Sequence, residues 1–473
     1  MDELIDMRAL LDGVSIFEVS LWLSGLLLVL VLIGVRVAFA AAFIGFIGLC
    51  AFFMQKQGFD KGLVTAAKLT GQIPHSKATQ YSLSLIPTFI LIGYLAYYAG
   101  LTRYLFEAAK RWIGWTPGGL GVATVFATAG FAAVSGASVA TSAVFARIAI
   151  PEMLREGYDK RFAAGVVAAG GTLASLIPPS AILVIYAIIV EQSVGQLLLA
   201  GFLPGLVSAL IYGALVIGLA RMRPDLGPPI GGFTWGQRFR ALPGALPILL
   251  VVFIIIYSIY FGWATPTEAG ALGAGIVLVM ALWQGMRLRQ LGSALMEAAK
   301  LTAMIFAMIW GVLIYVRFLG FAKLPAAFAD FITSLDMGPY QVLLLILLAY
   351  VVLGMFMDAI GMLILTLPIT FPAVMALNGA APGEVGAFGM TDTETAIWFG
   401  IIVVKMAELC LITPPIGLNC FVVAGVAQDA KMDISVQDVF RGASPFFVAD
   451  VVTVAVLIAF PGIVLWLPGL MTG

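Results

Sequence analysis

Apolar residues run through this chain in long blocks separated by short polar stretches, rather than alternating with polar ones. Blocks of roughly 18 or more such residues have the length of membrane-crossing helices. They cover 14–35 and 37–54, which meet at Arg36. The polar stretch 55–80 carries four lysines and is predicted to form an interfacial helix. Apolar segments resume at 81–100, 117–146, 162–190 and 197–220. After the connector "RMRPDLGPPIGGFTWGQRFRALP" come 244–263 and 266–286. A short amphipathic piece then precedes 301–322, 340–357, 359–377, 396–427 and 446–470. The pattern predicts an all-α polytopic membrane protein.

Composition agrees. Of the 473 residues 62% are hydrophobic and 11% charged, against about 25% charged in soluble domains. Basic and acidic residues balance at 25 each, which gives no reason to expect a nucleic-acid partner. The start, "MDELIDMRALLDG", is acidic and lacks the positive flank of a cleavable signal peptide, so the first span is expected to stay in the mature chain. Arg221, Arg223, Arg238 and Arg240 in the connector, and Arg287 and Arg289 one hairpin later, place both stretches in the cytoplasm. The turn at Thr265 then lies outside. Thr265 is predicted to cap a helix with Pro266 first and Glu268 completing the capping box, a structural role. Cys50, Cys410 and Cys420 show no paired spacing and read as small buried hydrophobes. His75 is the single histidine, and no P-loop is present. Neither haem, a histidine-rich metal site nor ATP hydrolysis is expected. No organic cofactor is implied.

Two apolar segments carry a proline pair at their centre. "GGTLASLIPPSAILVIYAIIV" holds Pro178-Pro179, and "LCLITPPIGLNCFVV" holds Pro414-Pro415, 236 residues later. A proline inside a helix removes a donor and costs about 3 kcal/mol. Hydrocarbon offers no water to the carbonyl it frees. The surroundings repeat as well: "SVGQLLLAGFLPG" resembles "SVQDVFRGASPFF" with one gap, and "ARIAIPEM" resembles "LPITFPAV". A block therefore occurs twice, near 81–222 and 301–473. Duplicated halves with Pro/Gly-interrupted spans at matching positions point to a secondary transporter's binding site. Kinked helices without a ligand would share the pattern. Ahead of the first pair, "TAGFAAVSGASVATSAVF" reads as a re-entrant hairpin with its tip at Ser135–Ser138, or as a helix interface of small residues. Its counterpart, "GMFMDAIGMLILTLP", sets Asp358 between Gly354 and Gly361.

"SGASVATSAVFARIAIPEMLREGYDKRFAAGVVAAGGTLASLIPPSAI", "ATPTEAGALGA", "MDAIGMLILTLPITFPAV", "ITPPIGLNCFVVAGVA" and "FPGIVLWLPGLM" follow in order. Over roughly 81–470 they closely resemble the large membrane subunit of TRAP transporters, the tripartite ATP-independent periplasmic systems. The resemblance implies two inverted repeats with re-entrant hairpins and broken helices, working as an elevator of scaffold and transport parts. On that plan 1–80 holds N-terminal scaffold spans, 81–222 repeat 1, 223–300 the connector and further scaffold spans, and 301–473 repeat 2. It implies a bacterial inner membrane location, a small four-span membrane subunit, and a periplasmic substrate-binding protein that delivers an organic acid. It also implies coupling to sodium, with a proton as the other candidate ion. No four-span block precedes the motifs, so the small subunit is expected to be a separate chain. Where the family usually has Gly-Ser after the first tip serine, this chain has Gly136-Ala137 and then Ser138. Segments 55–80, 223–242 and "NGAAPGEVGAFGMTDTET" look enlarged.

Sodium prefers hard oxygen ligands, and broken helices supply carbonyls. One ion is expected between the tip residues Ser135, Gly136 and Ser138 and the break at Ser175, Ile177 and Pro179. A second is expected between Asp358 and Gly361 and the break at Thr413, Pro415 and Gly417. Asp358 either neutralises that ion or bonds to the hairpin backbone. Arg317, late in an apolar span, either meets a substrate carboxylate or snorkels to the interface. Asn419 is the other substrate candidate. Arg147, Glu152, Tyr158 and Asp159 are expected to anchor the base of the first hairpin. Lys405 and Glu408 are spaced to pair on one helix, and Asp450 is a further buried acid with no partner legible in the sequence. A stand-alone elevator transporter for dicarboxylates is the alternative function. A membrane enzyme fits poorly, because the His/Cys metal set is missing.

Overall fold

The computed structural model describes residues 14–78, 81–381 and 383–471, and every regular element among them is helical. The chain opens with α1 (Ile16–Leu32), α2 (Val37–Gln57) and α3 (Phe59–Ala78). Next come α4 (Leu85–Tyr98), α5 (Leu101–Ile113) and the hairpin of α6 (Gly119–Ser135) and α7 (Ser138–Arg155). α8 (Lys160–Thr172) and α9 (Ala181–Ile189) flank the first proline pair, and α10 (Val194–Met222) follows. α11 (Trp235–Tyr260), α12 (Pro266–Trp283), α13 (Leu288–Ala322) and α14 (Leu324–Ser334) lead to α15 (Pro339–Gly354) and α16 (Ala359–Asn378). α17 (Asp392–Cys410) and α18 (Leu418–Asp429) flank the second pair, before α19 (Val436–Ala459) and α20 (Gly462–Gly469). Among the described residues seven helices are long and apolar enough to cross a membrane, or eight with the bent pair α4–α5. The protein is an all-α, multi-pass membrane protein.

The similar sequences that follow the two proline pairs start helices by the same device. Ser193 and Ser435 precede α10 and α19, and each hydroxyl accepts from the amide three residues on, at 3.4 Å from Gln196 and 3.2 Å from Asp438. These bonds satisfy donors the helix start leaves open. Each helix then carries an internal proline, Pro204 and Pro445. Both proline pairs, Pro178-Pro179 and Pro414-Pro415, are cis. Thr265 and Glu268 form a capping box at α12, with the Thr265 amide donating to Glu268 Oε2 at 2.8 Å.

The chain divides into two units. The first comprises what is described before Ser84, with Ala303–Ile346 and Gly361–Thr395. Within it α2 meets α13 without room for side chains. A Cβ on Gly45 would strike the Tyr315 backbone, one on Gly48 the Phe318 ring, and one on Gly311 the Ala38 carbonyl. The Ser24 and Tyr315 hydroxyls bond at 2.6 Å, and Phe52, Phe53 and Phe321 cluster at the far end of α2. α3 occupies the lysine-bearing polar stretch.

The second unit comprises Ser84–Thr302, Leu347–Ile360 and what is described from Ala396 on. Its centre is α8, buried from Phe162 to Thr172. α19 crosses α8 where Gly165 and Gly442 touch, and a Cβ on either would overlap the other helix's backbone. Lys160 Nζ lies 2.8 Å from Asp433, and Arg161 Nε lies 3.1 Å from Asp438. The Asp433 carboxylate holds the Lys160 ammonium above its ordinary pKa.

Several boundaries correct the sequence reading. The block at 81–100 does not end the element there: Gly100, at φ 73°, turns the chain 70° into α5. The charged face of "LTRYLFEAAKRWI" hides that helix from a hydropathy reading. The amphipathic piece before 301 is continuous with 301–322 in the 35-residue α13, since it lacks a proline to end it. The connector is helical from Trp235, where Thr234 and Gln237 form a capping box. The segment 446–470 is two helices, and its first begins at Val436; Pro461 lacks the amide needed to carry α19 onward.

Candidate ion and substrate site

The hairpin tip is made by two residues between α6 and α7. Gly136 sits at φ 56°, the left-handed region that glycine enters without penalty, and Ala137 is extended. A Cβ on Gly136 would collide with the Pro179 carbonyl, so glycine lets the tip rest directly on the first break. The Ser138 and Ser175 hydroxyls join across that contact at 2.6 Å. Ser135 and Thr141 hydroxyls bond at 2.8 Å, and the Ser180 hydroxyl donates to the Ser175 carbonyl. Ser135, Ser138, Ser175 and Ser180 are all buried, as are Ile177 and Pro179. Among the described residues, the carbonyls of Leu176, Ile177, Pro178 and Pro179 receive no backbone donor. Buried carbonyls are normally paired. The Pro179 carbonyl faces the tip at Gly136, and the same break carries the Ser175 and Ser180 hydroxyls, hard oxygen atoms of the kind a monovalent cation takes.

The second break shares only the run of carbonyls without a backbone donor. Among the described residues no backbone donor reaches the carbonyls of Thr413, Pro414, Pro415 or Ile416. Thr413 Oγ1 donates to the Leu409 carbonyl at 2.6 Å, leaving its oxygen lone pairs as its remaining capacity. The Ile416 amide reaches the Met355 carbonyl at 3.4 Å, which ties the break to the segment that carries Asp358. Asp358 is half-buried, immediately before α16. Gly417, at φ 38°, starts α18, and a Cβ there would meet the Phe440 ring. Pro414, Pro415 and Ile416 are exposed, whereas Ser175–Ser180 are buried.

Three residues from the sequence reading lie elsewhere. Asn419 is fully buried, and its Nδ2 donates to the Ala168 carbonyl of α8 at 3.2 Å. Gly361, buried in α16, and Arg317, exposed on α13, belong to the first unit. Glu152, Tyr158 and Asp159 hold the hairpin base. Glu152 pairs with Lys110, the Leu120 amide donates to Tyr158 at 2.9 Å, and Asp159 caps α8 through the Arg161 and Phe162 amides.

Arg147 instead lines a cavity of about 340 Å³ in the second unit, beside the tip residues Ser135 and Ala137. Its Nη1 donates to the Tyr97 hydroxyl at 3.3 Å. Tyr94 and Glu297 complete the polar wall, and the Tyr98 hydroxyl donates to Glu297 at 2.8 Å. A guanidinium with phenol donors at a hairpin tip can receive a carboxylate. The three tyrosines were missed in sequence because "LIGYLAYYAG" reads simply as the end of an apolar span.

Residues 24–463 match the family described as tripartite ATP-independent periplasmic transporter, DctM component. The C4-dicarboxylate TRAP transporter large permease protein of Pseudomonas aeruginosa is 36% identical over 392 residues, 82% of this chain and 86% of that one. The sialic acid TRAP transporter large permease protein of Vibrio cholerae is 29% identical over 395 residues, covering 83% and 87%. Among solved structures, the crystal structure of the Alcanivorax borkumensis YdaH transporter superposes with a TM-score of 0.54 at 12% identity, over 94% of this chain and 98% of that one. That last likeness is one of fold alone.

Proposed function

Since the chain belongs to the DctM family of tripartite ATP-independent periplasmic transporters, we propose that it imports an organic carboxylate together with sodium by an elevator movement. It is a permease subunit of a secondary transporter and not an enzyme. In this reading it sits in the bacterial inner membrane with a small four-span subunit and takes substrate from a periplasmic binding protein. The regions 1–80 and 223–300 serve as scaffold, and the repeats 81–222 and 301–473 carry the sites. One ion lies among Ser135, Gly136, Ser138, Ser175, Ile177 and Pro179. A second lies near Asp358, Thr413, Pro415 and Gly417.

The observation that carries this reading is the matched pair of breaks, each with a run of carbonyls lacking a backbone donor. Duplicated breaks of this kind are how secondary transporters hold coupling ions. The cavity beside the first tip, with Arg147 and Tyr97, supports an anionic substrate next to the first ion. The relatives' names, C4-dicarboxylate and sialic acid, support the carboxylate class. The test is uptake into proteoliposomes holding this chain and its small subunit, with binding protein supplied outside. Uptake should require both an inward sodium gradient and the binding protein. Uptake driven by a proton gradient alone would replace sodium as the coupling ion, and uptake without the binding protein would favour a stand-alone transporter.

A further inference from the structure

Tyr97 and Tyr98 are neighbours at the end of α4, yet each holds a different charged group. Neighbouring side chains on a helix point about 100° apart, and here the two rings meet edge-on with centroids 5.0 Å apart. The Tyr97 hydroxyl accepts from the Arg147 guanidinium of α7 at 3.3 Å, and the Tyr98 hydroxyl donates to Glu297 Oε1 of α13 at 2.8 Å. All four side chains line the cavity beside the first hairpin tip, and all lie in the second unit.

Arg147 and Glu297 share this wall without pairing. Among the described residues neither takes part in an ion pair. Guanidinium and carboxylate bind each other strongly where they can meet, and here each is tied to its own tyrosine instead. Most of the guanidinium donors, and Glu297 Oε2, are left without a hydrogen-bonded protein partner among the described residues. Lys300, three residues further along α13, is exposed and lies outside the cavity lining. The cavity thus has a cationic end and an anionic end, and ionisable groups within a membrane protein are costly to keep without a function.

We propose that the cavity takes a compact dipolar acid, with its carboxylate on Arg147 and Tyr97 and a cationic nitrogen on Glu297. Because Tyr97 accepts from Arg147, its own hydroxyl hydrogen is free to donate to the same carboxylate. Ile90, Phe131, Val139 and Leu301 give the space between the ends an apolar wall for the carbon chain. A volume of about 340 Å³ is at the small end for ligand sites, which suits a short chain. Glu297 then sets specificity, since a second carboxylate at that end would meet like charge. This narrows the substrate class proposed above and rests on reading the cavity as the substrate site.

Calorimetric titration of the full chain in lipid nanodiscs with sodium present tests it. The probes, of one chain length, are γ-aminobutyrate, butyrate and succinate. The wild type should bind γ-aminobutyrate about tenfold or more tighter than either of the others. Glu297→Gln should bring the three affinities to within a few-fold of one another, and Arg147→Gln should weaken all three by about tenfold. Succinate or butyrate binding the wild type as tightly as γ-aminobutyrate overturns the inference. If that binding is still lost in Arg147→Gln, the cavity remains a carboxylate site and only its dipolar character falls. Affinities that ignore Arg147→Gln put the probes elsewhere, and the reading of the cavity as the substrate site falls with the inference. A Glu297→Gln variant that keeps the ranking of probes but loses a sodium requirement makes Glu297 an ion ligand, which also overturns it. So does a wild type that binds none of the three. Should a variant fail to fold, the wild-type ranking alone decides.

Discussion

Gly136 shows how a single residue type can be required twice over. Its backbone lies in the left-handed region, where an L side chain costs roughly 1–2 kcal/mol, and any Cβ would also displace the Pro179 carbonyl. Gly136→Ala should therefore lower the melting temperature and weaken stabilisation by sodium, which thermal unfolding with and without sodium will read. Asp358→Ala tests the second site: its sodium dependence of uptake should be shallower than that of the wild type, and an unchanged dependence would remove Asp358 from the mechanism. The proline pairs and the pairing of Lys405 with Glu408 were legible because sequence neighbours define them. Asp450 was not, since it joins Lys405 from another helix and reaches Tyr212 across 238 residues of chain. Arg147 was assigned to the hairpin base by its place in the sequence, yet its helix turns it toward the cavity.

At the scale of elements, long apolar helices and their caps followed from hydropathy and from Ser/Thr spacing. What escaped was any element whose boundary is set by tertiary packing. The amphipathic α5 is held by neighbours in the second unit: Trp112 donates to the Arg238 carbonyl at 3.1 Å, and Lys110 pairs with Glu152. The tightest crossing, α8 on α19, depends on two glycines that nothing in either local sequence marks as partners. Gly165→Leu should separate these helices and abolish monodisperse folding, because the obstacle is backbone that cannot move aside. Size-exclusion chromatography of the detergent-purified variant will show it. Removing the Thr265 cap is far milder: Thr265→Ala should cost about 0.5–2 kcal/mol, measured as a small fall in thermal stability with uptake retained.

For the molecule as a whole, the sequence carried the membrane character and the family, but not the division into units. That division interleaves three stretches of chain in each unit and has no compositional signature. Orientation remains checkable from the arginine distribution. A cysteine replacing Arg223 should be labelled by impermeant reagent only from the cytoplasmic side, and one replacing Trp263 only from the opposite side. Cys50, Cys410 and Cys420 are buried and should stay silent in that assay. The proposed arrangement of inverted repeats predicts a C-terminal reporter outside the cytoplasm.

The crossing of α8 by α19 sets a timetable for synthesis. Lys160 waits for Asp433, 273 residues later, and Tyr212 waits for Asp450. At roughly 5–20 residues per second, that gap lasts on the order of tens of seconds. Throughout that interval the face of α8 around Gly165 stands without the helix that will cover it.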